Sequence, residues 1–236
     1  MRRVLSYIRR AVDDYKMINE GDRIAVGISG GKDSSTLALG LSALKRFYPQ
    51  RFEIVPISLD MGFPGMDYSP LTECFKSAGM DLIIQKTNIA EIVFDIRQEK
   101  SPCSLCAKLR RGALHDAAKE HGCNKVALGH HFDDVIETFF LSLFYEGRIG
   151  CFSPVTYLDR KDIHVIRPLI YMTEHQVIGF MNRNAVPTVK SSCPADGNTK
   201  REDMKNLLKG LNSENHGLSE RVFTAIKDTL PDWKIN

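Results

Sequence analysis

Short apolar runs rich in β-branched and aliphatic residues recur at 24–28, 53–59, 81–86 and 125–128, with a weaker one at 164–166. Their length and their polar or glycine-containing borders predict buried strands. Between them, apolar positions repeat at helical spacing over 34–48, 69–78, 105–121, 135–145 and 174–184. Strand–helix alternation predicts an α/β fold, an open and mostly parallel sheet with helices on both faces. In such a sheet, ligands gather at the carboxyl ends of the strands. That rule collects three loops, at 29–34, 60–65 and 129–134. The expected organisation is an N-terminal helix over 1–20, a main domain over 21–196 and a short helical C-terminal extension over 197–236, broken near 213–217. No repeat or low-complexity tract interrupts this pattern.

A length of 236 residues with 43% hydrophobic content suits one compact α/β unit with a small appendage. No apolar run approaches the ~18 residues of a membrane span. Residues 1–20 lack the apolar core of a signal peptide, so a cytoplasmic location is expected. The net charge is only +3, so contact with nucleic acid must rest on local patches. One candidate patch is Arg2, Arg3, Arg9 and Arg10. Another is Lys100, Lys108, Arg110 and Arg111, with no acid between them. Either could also be an ordinary solvated helix face.

The first of the three loops is the most informative. In Arg23-Ile-Ala-Val-Gly-Ile-Ser-Gly-Gly-Lys-Asp-Ser-Ser35 a strand runs into a Ser29-Gly30-Gly31 turn and then into a helix entered through Lys32, Asp33 and Ser34. Free backbone N–H groups and the helix dipole make such a junction an anion site, and glycine lets a phosphate come close. A Walker A loop needs Ser or Thr after its Gly-Lys, whereas Asp33 follows Lys32 here. The G-x-G-x-x-G dinucleotide spacing is absent as well. An ordinary glycine turn is the plainer alternative.

Cysteines stand at 74, 103, 106, 123, 151 and 193. In a cytosolic chain, Cys103-Ser-Leu-Cys106 suggests a metal or redox site rather than a disulfide. A second C-x-x-C is missing, which excludes a zinc ribbon built from two such pairs. Cys103, Cys106 and Cys193 would suit a [4Fe–4S] cluster with one iron left open, and a thioredoxin-type dithiol is the competing reading. Cys74, Cys123 and Cys151 read as small apolar residues. The third loop, Leu128-Gly-His-His-Phe-Asp-Asp-Val135, ends a strand and starts a helix. Its carboxylates could hold Mg²⁺ against phosphates or position an attacking group, or Asp133 and Asp134 could simply cap the helix.

Ser29-Gly-Gly-x-Asp-Ser34 after a strand resembles the pyrophosphate loop of the ATP-pyrophosphatase (PP-loop) superfamily, whose Rossmann-like HUP fold is the one expected above. The ordered set is more specific. It comprises that loop, Cys103-Ser-Leu-Cys106 with Leu109-Arg-Arg-Gly112, Leu128-Gly-His-His-x-Asp-Asp134, the stretch 139–147, Ile166-Arg-Pro-Leu169 and the lone Cys193. Over roughly residues 20–210 it looks like the tRNA 2-thiocytidine synthetase (TtcA) family. Related 2-thiouridine thiolases usually add two zinc ribbons, which this chain cannot build.

The resemblance implies an ATP-dependent tRNA sulfurtransferase. ATP would adenylate the O2 carbonyl of a cytidine in the anticodon loop, releasing pyrophosphate, and sulfur delivered on the cluster would displace AMP. Ser29, Gly30, Gly31, Lys32, Asp33 and Ser34 would meet the phosphates, with Mg²⁺ on Asp33. Leu59 and Asp60 would meet adenine or ribose, and Gly129 and Asp133 would complete the ATP site. Asp134, Arg110 and Asp33 would be catalytic. Cys103, Cys106 and Cys193 would hold the cluster, and Lys108, Arg110 and Arg111 would contact RNA. Arg110 lies one helical turn past Cys106, on the cluster side. Expected partners are tRNA, a sulfur donor (a cysteine desulfurase or free sulfide) and a second copy in a homodimer, with no membrane. The alternatives are another PP-loop enzyme such as a lysidine synthetase, a small-molecule thiolase, or a non-enzymatic adenine-nucleotide sensor.

Overall fold

The computed structural model describes residues 1–98, 102–189, 192–193 and 200–235. Lys100, Pro194 and Gly197 of the sequence reading lie outside them. The expected α/β architecture is borne out. Strands β1 (Asp22–Ile28), β2 (Phe52–Asp60), β3 (Ile83–Lys86), β4 (Lys125–Ala127), β5 (Val155–Leu158) and β6 (Ile163–Ile166) form one sheet in the order β3-β2-β1-β4-β6-β5. All pairings are parallel except β5 with β6. The helices are α1 (Arg2–Asp14), α2 (Lys32–Leu44), α3 (Ser69–Ser77), α4 (Pro102–Glu120), α5 (Phe132–Glu146), α6 (Glu174–Asn184), α7 (Lys200–Glu214) and α8 (Leu218–Thr229).

The strand order reverses beside β1. The chain leaves β1 toward β2 and β3, then returns to place β4 on the other side. A crevice opens at the carboxyl ends of two strands whose connections diverge in this way. Here it lies between the loop after β1 and the loop after β4.

Alternation along the strands divides the core into two layers. Ile24, Val26 and Ile28 of β1 face a large cluster with α1, α2, α5, α6 and α8. Ala25 faces the opposite, smaller cluster with Ala117 and Ala118 of α4. Gly27 continues that smaller face, where a Cβ would lie 2.8 Å from the Leu114 side chain. Val4, Ile8, Ala11 and Val12 give α1 a buried stripe at helical spacing, leaving its arginines outside. The stripe sits on Gly40 of α2, where a Cβ would overlap the Ile8 side chain. The C-terminal end is anchored by Trp233, 1% exposed, packed edge-on against Tyr15 and Phe223.

Opposite the crevice, the amino ends of β1 and β4 share a buried ion pair. Lys125 Nζ lies 2.7 Å from Asp22 Oδ2 and donates to the Met17 carbonyl at 2.9 Å. Asn124 donates to Asp22 Oδ1 at 2.8 Å. Removing one partner leaves a buried charge uncompensated. Lys125→Met is expected to lose about 3–5 kcal/mol in denaturant unfolding. A loss below about 1 kcal/mol, within the range of an exposed pair, would contradict this account.

Candidate active site

The loop after β1 is closed by its own hydroxyls. Ser29 N–H donates to Ser34 Oγ at 3.1 Å, Gly31 N–H donates to Ser29 Oγ at 3.3 Å, and Ser34 donates to the Gly31 carbonyl at 3.2 Å. The ring aims the first turn of α2 at the crevice. The N–H groups of Lys32, Asp33 and Ser34 have no acceptor within the helix. The two glycines differ in kind. Gly30 has φ +82° and accepts from Val189 N–H, and a Cβ there would stand 2.7 Å from Val189 Cβ. Gly31 has φ −87° and would place a Cβ in nearly open space. The backbone conformation and the Val189 contact account for the first glycine. The second is explained by a ligand that must come close.

A cleft of about 590 Å³ opens beside this loop. Ser29, Asp33, Ser34, Leu59, Gly129, Asp134, Arg110 and Arg111 line it. So do Met61, Phe63, Met66 and Tyr68, an apolar wall after β2, and His115 and His130. Gly30, Gly31, Lys32, Asp60, Asp133, Lys108 and the cysteines do not line it. Asp60 turns into its own loop, accepting from Gly62 N–H at 3.0 Å. Asp133 turns to α6, accepting from Glu174 N–H at 2.7 Å. Lys32 Nζ sits 3.1 Å from both Asp33 and Glu174. Burial pulls the Lys32 ammonium down, but those carboxylates outweigh it and hold it above its ordinary value.

Gly129 sets how close the two loops come. A Cβ on it would lie 2.9 Å from Asp33 C and 3.0 Å from Ser34 N. The approach brings Asp33 and Asp134 to one imidazole, His131 Nε2, at 3.6 and 3.5 Å. Asp33 Oδ1 is buried with no hydrogen-bond partner, and it belongs to a residue lining the cleft. An unpartnered carboxylate oxygen beside an anion loop is the donor a hard divalent cation takes, so these residues fit Mg²⁺.

Sequence reading missed Arg201, on α7, which also lines the cleft. Its Nη1 donates to Asp134 Oδ1 at 2.7 Å and its Nη2 to Thr138 Oγ1 at 3.1 Å. Behind Asp134, burial and that aspartate push the Glu137 carboxyl up to about 7, against the pull of Arg201. His130 is pushed down to about 4 by burial and by Arg167, so it is neutral at physiological pH. The motif arginine Arg167 is buried under this loop. It donates to Ser153 O and Thr156 Oγ1, and its guanidinium lies 4.9 Å over the Phe152 ring, which also stacks on His130.

Cys103 and Cys106 fall in the first turns of α4, three residues apart and so on one side of it. Burial raises the Cys106 thiol above its ordinary value, and Cys193 and Cys103 add to this while Arg110 opposes it. The three thiols therefore share one neighbourhood beside an arginine that lines the cleft. Among the described residues, no three His, Cys, Asp or Glu side chains are gathered tightly enough to enclose a metal. As a donor set, three thiols with no fourth fit a cluster with one open iron.

Two outcomes follow from this geometry. Gly31→Ala should keep stability within about 1 kcal/mol, the N-cap difference, yet weaken ATP binding roughly tenfold or more. Gly30→Ala should lose roughly 1–3 kcal/mol through its left-handed backbone. Normal ATP affinity in Gly31→Ala would contradict the loop's role. The second outcome concerns pH. An acid whose folded pKa is raised holds its proton longer in the folded state. The penalty for Glu137 is therefore absent at low pH, grows from about 4.5 to about 7 and is complete above that. Glu137→Gln should gain stability over wild type by roughly 1–3 kcal/mol between about pH 4.5 and pH 8. Identical pH dependence of unfolding in the two proteins would contradict the assignment.

A family model described as a PP-loop domain matches residues 4–210. The chain is similar to the tRNA-cytidine(32) 2-sulfurtransferase of Geobacter metallireducens, 39% identical over 98% of this chain and 91% of that protein. It is 41% identical to the protein of the same name from Pelobacter propionicus, over 98% of this chain and 87% of that one. Among solved structures, U34-tRNA thiolase NcsA from Methanococcus maripaludis with its [4Fe-4S] cluster aligns with a TM-score of 0.76. That alignment covers 94% of this chain and 77% of that one at 20% identity, which speaks to the fold alone. The glycine loop at the switch point and these matches together give one conclusion: the chain belongs to the PP-loop family, alongside relatives called tRNA-cytidine(32) 2-sulfurtransferases.

Proposed function

We propose that this protein is an ATP-dependent tRNA sulfurtransferase that converts a cytidine of the anticodon loop, position 32, to 2-thiocytidine. The observation that carries the reading is the cleft itself, where an anion loop, two carboxylates and a pair of arginines face one space beside the cysteine-bearing helix. A pyrimidine carbonyl oxygen is a poor leaving group. Attack of O2 on the α-phosphorus of ATP expels pyrophosphate and makes that oxygen part of a good one. Sulfur then takes its place and the oxygen departs with AMP.

The residues divide the work by position. Ser29, Ser34 and the backbone of Gly30, Gly31 and the first turn of α2 receive the pyrophosphate. Lys32 adds charge from behind the loop. Asp33 would hold Mg²⁺, which would supply charge neutralisation at the phosphates. Leu59, with Met61, Phe63, Met66 and Tyr68, provides the apolar face for adenine, and Asp60, Gly129 and Asp133 shape the loops around the nucleotide. Asp134 faces the reacting base, and Arg110 offsets charge developing there. Lys108 and Arg111 meet RNA phosphates. A [4Fe–4S] cluster on Cys103, Cys106 and Cys193 would supply sulfur in nucleophilic form.

A cysteine desulfurase or free sulfide as sulfur source, a homodimeric assembly and a cytoplasmic location complete the reading. So does the division into a helix at 1–20, a catalytic domain at 21–196 and an extension at 197–236. No helix among the described residues is long and apolar enough to cross a membrane.

The test is an anaerobic reaction of reconstituted protein with ATP and unmodified tRNA, followed by nucleoside mass spectrometry. The expected result is 2-thiocytidine, with AMP and pyrophosphate in step, and about four irons per chain that are mostly lost in Cys193→Ala. Lysidine, ADP as the main product, or full activity with stoichiometric zinc and no iron would overturn the proposal. Arg111→Ala should weaken tRNA binding and flatten its log–log salt slope by roughly 0.7–0.9. An unchanged slope would remove Arg111 from the RNA interface.

A further inference from the structure

Asp134 is the carboxylate best placed to face the reacting base, yet it sits among acids. Asp33, Asp133 and Glu137 surround it on the two loops and on its own helix. Two groups fix its oxygens. Oδ2 accepts from His131 N–H at 2.9 Å, and Oδ1 accepts from Arg201 Nη1 at 2.7 Å. The second arm of the guanidinium is tied to Thr138 at 3.1 Å, one turn along α5 from Asp134. The fork is thus held at two points, and the bonds to both oxygens of Asp134 restrain the plane of its carboxylate.

Arg201 does not act alone. Lys205, one turn further on α7, lies 2.8 Å from Glu174, which in turn binds Lys32 of the anion loop. Met204 and Leu208 are buried and hold the helix in place. α7 thus reaches both loops with two cations at i, i+4 spacing, one toward Asp134 and one toward the back of the anion loop. It lies outside the strand-and-loop region where a parallel sheet normally gathers its site.

We infer that Arg201 is a positioning residue for adenylation, holding Asp134 in the orientation in which it meets the base carbonyl, and that α7 is therefore part of the active site. This rests on the adenylation reading above. Arg201 acts through Asp134, so its loss should slow the chemical step and leave substrate binding nearly intact. A direct phosphate ligand would behave in the opposite way.

The experiment measures tRNA-dependent pyrophosphate release, the product of the adenylation step, by the holoenzyme at varied ATP. Arg201→Ala should lower kcat by roughly 10–100-fold, the scale of a misplaced reacting group. KM for ATP and Kd for tRNA should stay within about twofold, a change under 0.5 kcal/mol. Arg201→Lys keeps the charge but cannot grip Asp134 and Thr138 together, so it should recover only part of the rate. Added guanidinium should raise the rate of Arg201→Ala. Thr138→Val, a mild change that keeps the helix, should lower kcat a few-fold with KM unchanged, and it carries the test if Arg201→Ala does not fold.

Normal kcat in a folded Arg201→Ala overturns the inference, as does normal kcat in Thr138→Val where Arg201→Ala does not fold. So does an increase of KM for ATP of tenfold or more with kcat kept. A wild type that releases pyrophosphate beside a fully active Arg201→Ala removes only the role of Arg201. A wild type that releases no pyrophosphate with tRNA removes the proposed function and this inference together.

Discussion

The site depends on one close approach, the backbone of Gly129 against the first turn of α2. A methyl group there would lie 2.9 Å from Asp33 C, so only glycine lets the loop after β4 reach the loop after β1. That contact exists because the strand order reverses beside β1 and leaves the carboxyl ends of β1 and β4 side by side. It turns two separate devices, an anion cradle and a carboxylate cluster, into one cleft. The β1–β4 register and the buried Lys125–Asp22 pair at the opposite ends of the strands hold the same two elements together.

Bringing the loops together also crowds negative charge. Asp33, Asp133 and Asp134 lie within 3.6 Å of His131, Glu137 lies close to Asp134, and Asp133 reaches Glu174 N–H. Each is managed differently. Asp133 accepts the Glu174 N–H at the start of α6, Glu174 is held between Lys32 and Lys205, Asp134 is gripped by Arg201, and Glu137 keeps its proton to about 7. Asp33 Oδ1 is left buried without a partner. The proposed Mg²⁺ and polyphosphate would complete the balance there.

Much of this was legible in the sequence, because the informative parts are local. A glycine turn between a β-branched strand and a helix announces itself within a dozen residues, and so does C-x-x-C at a helix start. β5 escaped because it is a four-residue antiparallel edge strand, half-exposed along its length, with no alternation to mark it. Lys32 and Asp133 were legible as members of the loops but not in their orientation. Both turn toward Glu174, a residue of another element. Arg201 was illegible for the same reason: its partner Asp134 is 67 residues away, and Lys200-Arg201 in a polar helix looks like any solvated face. Long-range ion pairs carry no periodic signal, so local pattern finds the loops and misses what braces them.

The account turns on the carbonyl oxygen of cytidine becoming the bridging oxygen of an adenylate. It can be followed with tRNA carrying ¹⁸O at cytidine O2, and AMP analysed by mass spectrometry after turnover in unlabelled water. The account predicts that the label leaves on AMP, one ¹⁸O for each thiocytidine formed. Unlabelled AMP, with the ¹⁸O released to water or inorganic phosphate, would contradict it.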